Sequence, residues 1–248
     1  MRTPITIGTC SLGTMPRIVA VIDRRLPERR IRRLKILGAD MLEVRVDLFP
    51  CAFEKTLGFV RMLRRKSRLP IIATIRETKD TKGKRLEMFG RLMPLVDAID
   101  VEIDAQDGRD IIKRARGKTV IISEHDFSGT PSESRLSSIV KRARSMGADI
   151  VKIAAMARSR GDAARLMRFA AGRRENLVAI SMGEYGAVSR IAAPLFGSLF
   201  TYTFVSRRVA PGQLPLKETA ALLRKLYPAR MAENAEPGGR PSVREALR

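Results

Sequence analysis

The chain of 248 residues carries one histidine, His125, in the stretch VIISEHDFSGTP (120–131). There an apolar run ends between two carboxylates, Glu124 and Asp126, and enters a Gly-Thr-Pro turn. A second isolated group is Lys152, inside the apolar run ADIVKIAAM (148–156). An ammonium in such a run is costly unless it is paired or deprotonated. Deprotonated, the amine is a nucleophile that forms a Schiff base with a ketone. Paired, it is a core lysine held by a carboxylate such as Glu102 or Glu43, and the lysine alone does not separate these readings. A histidine beside it would supply the base that removes a proton alpha to an iminium, as imine chemistry requires. Near its ordinary pKa of about 6.5 an imidazole both accepts and donates that proton. Arg45, Arg76 and Arg190 are candidates to hold a carboxylate and hydroxyls through forked hydrogen bonds. Together with burial, their positive field would favour an uncharged amine at Lys152. The plainer role for each arginine is an ion pair with Glu43, Asp47, Glu102 or Asp104.

These residues need a scaffold that brings them together. Eight short apolar, β-branched runs recur, each followed by an amphipathic stretch: RIVAVI (17–22), DMLEVRVD (40–47), PIIATIR (70–76), DAIDVEID (97–104), KTVIISEHD (118–126), DIVKIAAM (149–156), NLVAISMG (176–183) and LFTYTFV (199–205). Between the fifth and sixth runs, Leu136, Ile139, Val140 and Ala143 recur at helical spacing, with Thr130-Pro131 as a start signal and Gly147 as a stop. Gly38-Ala39-Asp40 and Gly147-Ala148-Asp149 end a helix and begin a strand in the same manner. Strand and helix alternating eight times predict an α/β fold, a (β/α)8 TIM barrel. An open doubly wound sheet is disfavoured, because neither G-x-G-x-x-G nor G-x-x-x-x-G-K-[ST] occurs. Residues 1–228 are expected to form a single barrel domain, with TIGTCSLG near the N-terminus as a small hairpin capping the floor. The polar tail 229–248, rich in Pro and Gly, is expected to be disordered. Catalytic groups of such a barrel lie at the C-terminal ends of the strands. Those ends offer Glu43, Arg45, Asp47, Arg76, Glu102, Asp104, His125 and Lys152, then Ser181, Met182 and Arg190 from the seventh and Gln213 after the eighth.

Composition narrows the class further. There are 48 Lys+Arg against 26 Asp+Glu, a net charge of +22, which raises nucleic acid or another polyanion as a partner. The basic residues are spread over successive helical stretches such as RRIRRLK (29–35) and KRARS (141–145), in no nucleic-acid motif and with few aromatics to stack bases. They read as solvated helix faces, and any nucleic-acid binding as non-specific and salt-sensitive. No apolar run has the length of a membrane span, and the N-terminus lacks the core of a signal peptide, so a cytoplasmic protein is expected. Cys10 and Cys51 form neither a disulfide framework nor a C-x-x-C pair.

At the strand ends the sequence resembles the type I 3-dehydroquinate dehydratases, the Schiff-base enzymes of the shikimate pathway. EVRVD (43–47), TIR (74–76), SEHDFSGTP (123–131), VKIAAMA (151–157), ISMGEYGAVSRIAAPLFGS (180–198) and APGQ (210–213) carry the resemblance, in order, over about residues 16–226. It implies a (β/α)8 barrel, often a homodimer, that dehydrates 3-dehydroquinate with no metal and no organic cofactor. It further implies Lys152 as the imine-forming lysine and His125 as the general acid and base. Glu43, Arg45, Arg76, Arg190 and Gln213 match substrate-holding positions. Three departures stand out. The family's Glu-Gly-Gly after TIR is Asp-Thr-Lys here, which makes Asp80 the candidate to orient His125. Val209 replaces a hydroxyl residue before APGQ, and Val21 replaces a serine on the first strand. Two other readings are another Schiff-base lyase or aldolase on the same barrel, and a basic nucleic-acid-binding protein without catalysis.

Overall fold

The computed structural model describes residues 5–227. A hairpin of β1 (Ile5–Ile7) and β2 (Cys10–Leu12) precedes eight further strands, each from one of the apolar runs. These are β3 (Arg17–Ile22), β4 (Met41–Arg45), β5 (Ile71–Thr74), β6 (Ala98–Glu102), β7 (Thr119–Asp126), β8 (Ile150–Met156), β9 (Leu177–Met182) and β10 (Phe200–Phe204). A helix follows each: α1 (Glu28–Arg33), α2 (Phe53–Ser67), α3 (Arg85–Leu92), α4 (Gly108–Arg114), α5 (Glu133–Ser145), α6 (Arg160–Ala171), α7 (Ser189–Ala192) and α8 (Leu216–Leu226). The eight strands pair in parallel in the order β10-β3-β4-β5-β6-β7-β8-β9. Across the remaining seam the Leu199 amide donates to the Leu177 carbonyl at 2.9 Å, so the sheet curls into a nearly closed (β/α)8 barrel.

Strand parity then sorts the side chains. On β8, Ile150 and Ala154 pack in the barrel interior with Val21, Ile72, Ile121 and Val178. Val151, Ile153 and Ala155 pack outward under the helices. Burial on both faces explains why the strands read as unbroken apolar runs. With a period of two, Lys152 shares the interior face with Ile150 and Ala154.

One device recurs where helices return to strands. The carboxylates of Asp40, Asp97 and Asp149 accept hydrogen bonds from the amides of Ile18, Ile71 and Val120, at the start of the preceding strand, at 2.7–2.9 Å. Gly38, at φ 103°, makes the first of these returns; a Cβ there would lie 2.5 Å from that of Ala220.

The expected N-terminal hairpin is present. Its strands pair antiparallel, and Ile7 and Leu12 are buried in the interior cluster, closing the floor of the barrel. The excess cations face solvent: on α1 only Ile31 is buried, while Arg29, Arg30, Arg32 and Arg33 are exposed. Among the described residues no helix is long and apolar enough to cross a membrane. The tail 229–248 lies outside the described residues.

Candidate active site

At the C-terminal end of the barrel a cavity of about 140 Å³ is lined by Glu43, Arg45, Arg76, His125, Lys152, Arg190 and Gln213. Seven of the eight residues that the family resemblance points to therefore converge. Val21 and Val209, the two apolar departures from the family pattern, line the same space.

Lys152 is the centre of it, 5% exposed. Its ammonium donates to Asp100 Oδ2 at 2.8 Å, stands 3.5 Å from Glu43 Oε1, and lies 4.2 Å from the centre of the Tyr202 ring. Thr74 Oγ1 donates to Glu43 at 2.8 Å and Ser123 Oγ to Asp100 at 2.6 Å, so both carboxylates are oriented from adjacent strands. This corrects one expectation: the nearest charges to the amine are carboxylates, not a cluster of arginines. Glu43 was a foreseen partner and Glu102 was not confirmed. Glu102 instead pairs with Arg85 at 2.9 Å and, loosely, with Arg76 at 3.9 Å. Asp100 carries no strand-end signal in the sequence, because it lies inside the fourth run and not at its end. It has the parity of Glu102, two residues deeper. Asp104, past the strand, pairs with Arg142 outside the barrel.

His125 Nε2 lies 2.5 Å from Nη2 of Arg76. A guanidinium only donates, so Nε2 is the acceptor and the ring proton is on Nδ1, which is buried without a partner. Burial, then the charges of Arg76, Lys152 and Arg45, hold the imidazole well below its ordinary pKa. The expectation of an unperturbed histidine is thereby corrected: the neutral ring is the resting form.

The arginines differ in what they have free. Arg45 is engaged by Asp47 through two contacts of 3.1 and 2.7 Å. Arg190 is buried and donates Nη2 to the Pro211 carbonyl at 3.0 Å, while its Nε is unpartnered. No carboxylate among the described residues pairs with it, and burial alone lowers its pKa to about 10. A buried guanidinium without a countercharge is a ready site for an anionic group. Gln213 is held in the wall by accepting from the Val209 amide at 3.0 Å. Its turn depends on Gly212, at φ 71°, because a Cβ there would lie 2.6 Å from the Gly183 carbonyl oxygen.

Asp80 is the exception. It is exposed and lines a separate surface pocket with Val46 and Phe49. The cause is a tight turn: Thr81 Oγ1 donates to the Arg76 carbonyl at 2.7 Å and accepts from the Thr78 amide at 2.8 Å. That turn leaves Asp80 at a solvent-facing corner, away from the imidazole. Asp80→Asn is therefore expected to change kcat/KM by less than about twofold, as for an ordinary surface substitution. A tenfold or larger loss in steady-state assays would show that the loop brings Asp80 inward during turnover.

Tyr202 and Ser123 are likewise silent in the sequence, since aromatic and hydroxyl side chains in apolar runs carry no signal until parity is fixed. The assembly offers an amine flanked by proton acceptors, a neutral imidazole and an unpaired guanidinium around one small cavity. Comparison with known proteins agrees in kind. The family model for type I 3-dehydroquinase matches residues 19–229. A 3-dehydroquinate dehydratase of Methanococcoides burtonii is 38% identical over 225 residues, covering 86% of this chain and 96% of the relative. The crystal structure of 3-dehydroquinate dehydratase from Geobacillus kaustophilus superposes with a TM-score of 0.78 at 26% identity, over 91% of this chain and 97% of that one. The type I 3-dehydroquinate dehydratase of Clostridium difficile, solved with covalently modified comenic acid, gives a TM-score of 0.82 at 25% identity, over 92% and 100%.

Proposed function

The chain belongs to the type I 3-dehydroquinase family, and from that premise we propose that it dehydrates 3-dehydroquinate to 3-dehydroshikimate through a Schiff base on Lys152, in the shikimate pathway. The reading is carried by one observation: Lys152 is buried beside two carboxylates in the same cavity as a neutral histidine and an arginine without a countercharge among the described residues.

In this reading the Lys152 ammonium passes a proton to Asp100 or Glu43, and the free amine attacks the C3 ketone. His125 assists formation and dehydration of the carbinolamine, then takes a proton from C2 to leave an enamine. The imidazolium so formed lies against Arg76 and is a strong acid there, suited to protonating the C1 hydroxyl as it leaves as water. Hydrolysis of the conjugated imine releases the product and returns Lys152 to its carboxylates. Arg190 holds the substrate carboxylate, while Arg45, Arg76, Gln213 and Glu43 hold hydroxyls. A cytoplasmic homodimer belongs to the same proposal and comes from the family resemblance. Exposed Leu195, Phe196, Leu222 and Leu226, around the adjacent helices α7 and α8, offer an apolar surface for self-association.

The direct test mixes the purified protein with 3-dehydroquinate and follows the absorbance of the enone product. Absence of that signal with folded protein sinks the reading. Within it, Arg190→Gln is expected to raise KM about ten- to a hundredfold, the equivalent of a lost charge-assisted hydrogen bond of roughly 1.5–3 kcal/mol. An unchanged KM would remove Arg190 from the carboxylate site.

A further inference from the structure

Behind the cavity lies a buried charged group that the proposed reaction does not use. Arg85, the first residue of α3, is completely buried. Its Nη2 donates to Glu102 Oε2 at 2.9 Å, and its Nη1 stands 3.3 Å from Asp107 and 3.8 Å from Glu77. Glu102 is also the carboxylate nearest Arg76, at 3.9 Å from its Nε. Arg76 in turn reaches His125 Nε2. Glu102 thus lies between two guanidiniums, one at each of its oxygens, and Arg85 has the closer contact.

We propose that Arg85 is a positioning residue: by holding Glu102 back, it leaves Arg76 free to lie against His125. Asp80 was expected to orient the imidazole from the sequence, yet it is not at hand. The Arg85–Glu102–Arg76 chain does so instead, at Nε2 and with the opposite sign of charge. With Arg85 shortened, Glu102 has Arg76 as its remaining close cation, and Arg76 is drawn away from the ring. The inference rests on reading His125 as the acid and base of the site.

The single histidine makes the test clean, because ring-labelled 15N-histidine in protein freed of any affinity tag gives one imidazole to titrate by NMR. The charged groups around that imidazole are Arg76 beyond β5, Lys152 on β8 and Arg45 on β4. Behind them stand Glu43, Asp100 and Glu102, with Glu124 and Asp126 on its own strand. Arg85→Gln is expected to move the His125 midpoint upward, toward about 6.5, and to lower kcat about tenfold, a size ordinary for coupled neighbours. Adding Glu102→Gln to that variant removes the competing carboxylate and is expected to restore the low midpoint and most of kcat. Where Arg85→Gln does not fold, Arg85→Met serves, since it fills similar space without a charge to hold Glu102; the midpoint must again rise. A folded variant with an unmoved midpoint, or a loss that Glu102→Gln does not relieve, overturns the proposal. The titration does not depend on turnover, so an inactive wild-type protein with the expected midpoint shifts would overturn the functional reading alone.

Discussion

Borohydride added together with 3-dehydroquinate is expected to fix a reduced adduct on Lys152 and on no other lysine, with loss of turnover in step with labelling. Peptide mass spectrometry reads the site. The selectivity follows from burial and geometry. Lysines on the helix surfaces have no cavity to hold the ketone, whereas the Lys152 amine shares one with His125 and Arg190 and has Asp100 at 2.8 Å and Glu43 at 3.5 Å within reach of its proton. Lys152→Ala should lose the adduct and all turnover above the uncatalysed reaction, because no other group in the cavity can form the imine. The same change leaves Asp100 and Glu43 buried without their common cation, so its melting temperature is also expected to fall. Full labelling at another lysine, or turnover without Lys152, would end the Schiff-base mechanism while leaving the fold untouched.

His125→Ala is expected to lower kcat by about a thousandfold, within the range for a lost general acid and base. Yet the variant should remain trappable by borohydride with substrate or product. Carbonyl attack needs the amine, which its carboxylates serve; proton removal from C2 needs the imidazole. A variant that neither turns over nor traps would place His125 in imine formation as well. The pH profile of kcat/KM for the wild-type protein adds a signed test. A base works in its neutral form, and burial, then Arg76, Lys152 and Arg45, hold the His125 pKa well below 6.5. Activity should therefore stay level as the pH falls through 6.5, and decline only through the lower value. A decline centred at the ordinary histidine value would show that the ring is more solvated, or Arg76 more distant, during catalysis.

Much of the site was legible in the sequence because it rests on short-range rules. A strand period of two and a barrel in which chemistry gathers at strand ends put Glu43, Arg45, Arg76, His125 and Lys152 among the candidates, alongside Asp47, Glu102 and Asp104, which pair with arginines. The glycines and prolines after the last strands marked the turn that carries Gln213. What failed were statements about distance. Asp80 has a spacing from Arg76 similar to that of the family's glutamate, but the Thr78–Thr81 turn faces it outward. The arginines carry the positive charge expected of them, yet Arg45 spends its charge on Asp47.

The sequence by itself determined the eight-fold alternation of strand and helix, and a lysine and a histidine on neighbouring strands. Each of these follows from side chains within one strand or helix, where burial imposes a fixed period. Only the tertiary structure decided which charge meets which. Lys152 finds Asp100 and Glu43 rather than Glu102, Arg190 meets no carboxylate among the described residues, and Arg85 and Arg76 share Glu102. Those outcomes depend on the stagger of β4, β5, β6 and β8 around the closed sheet. Stagger is set by packing across the whole barrel, so no local pattern in any one strand encodes it.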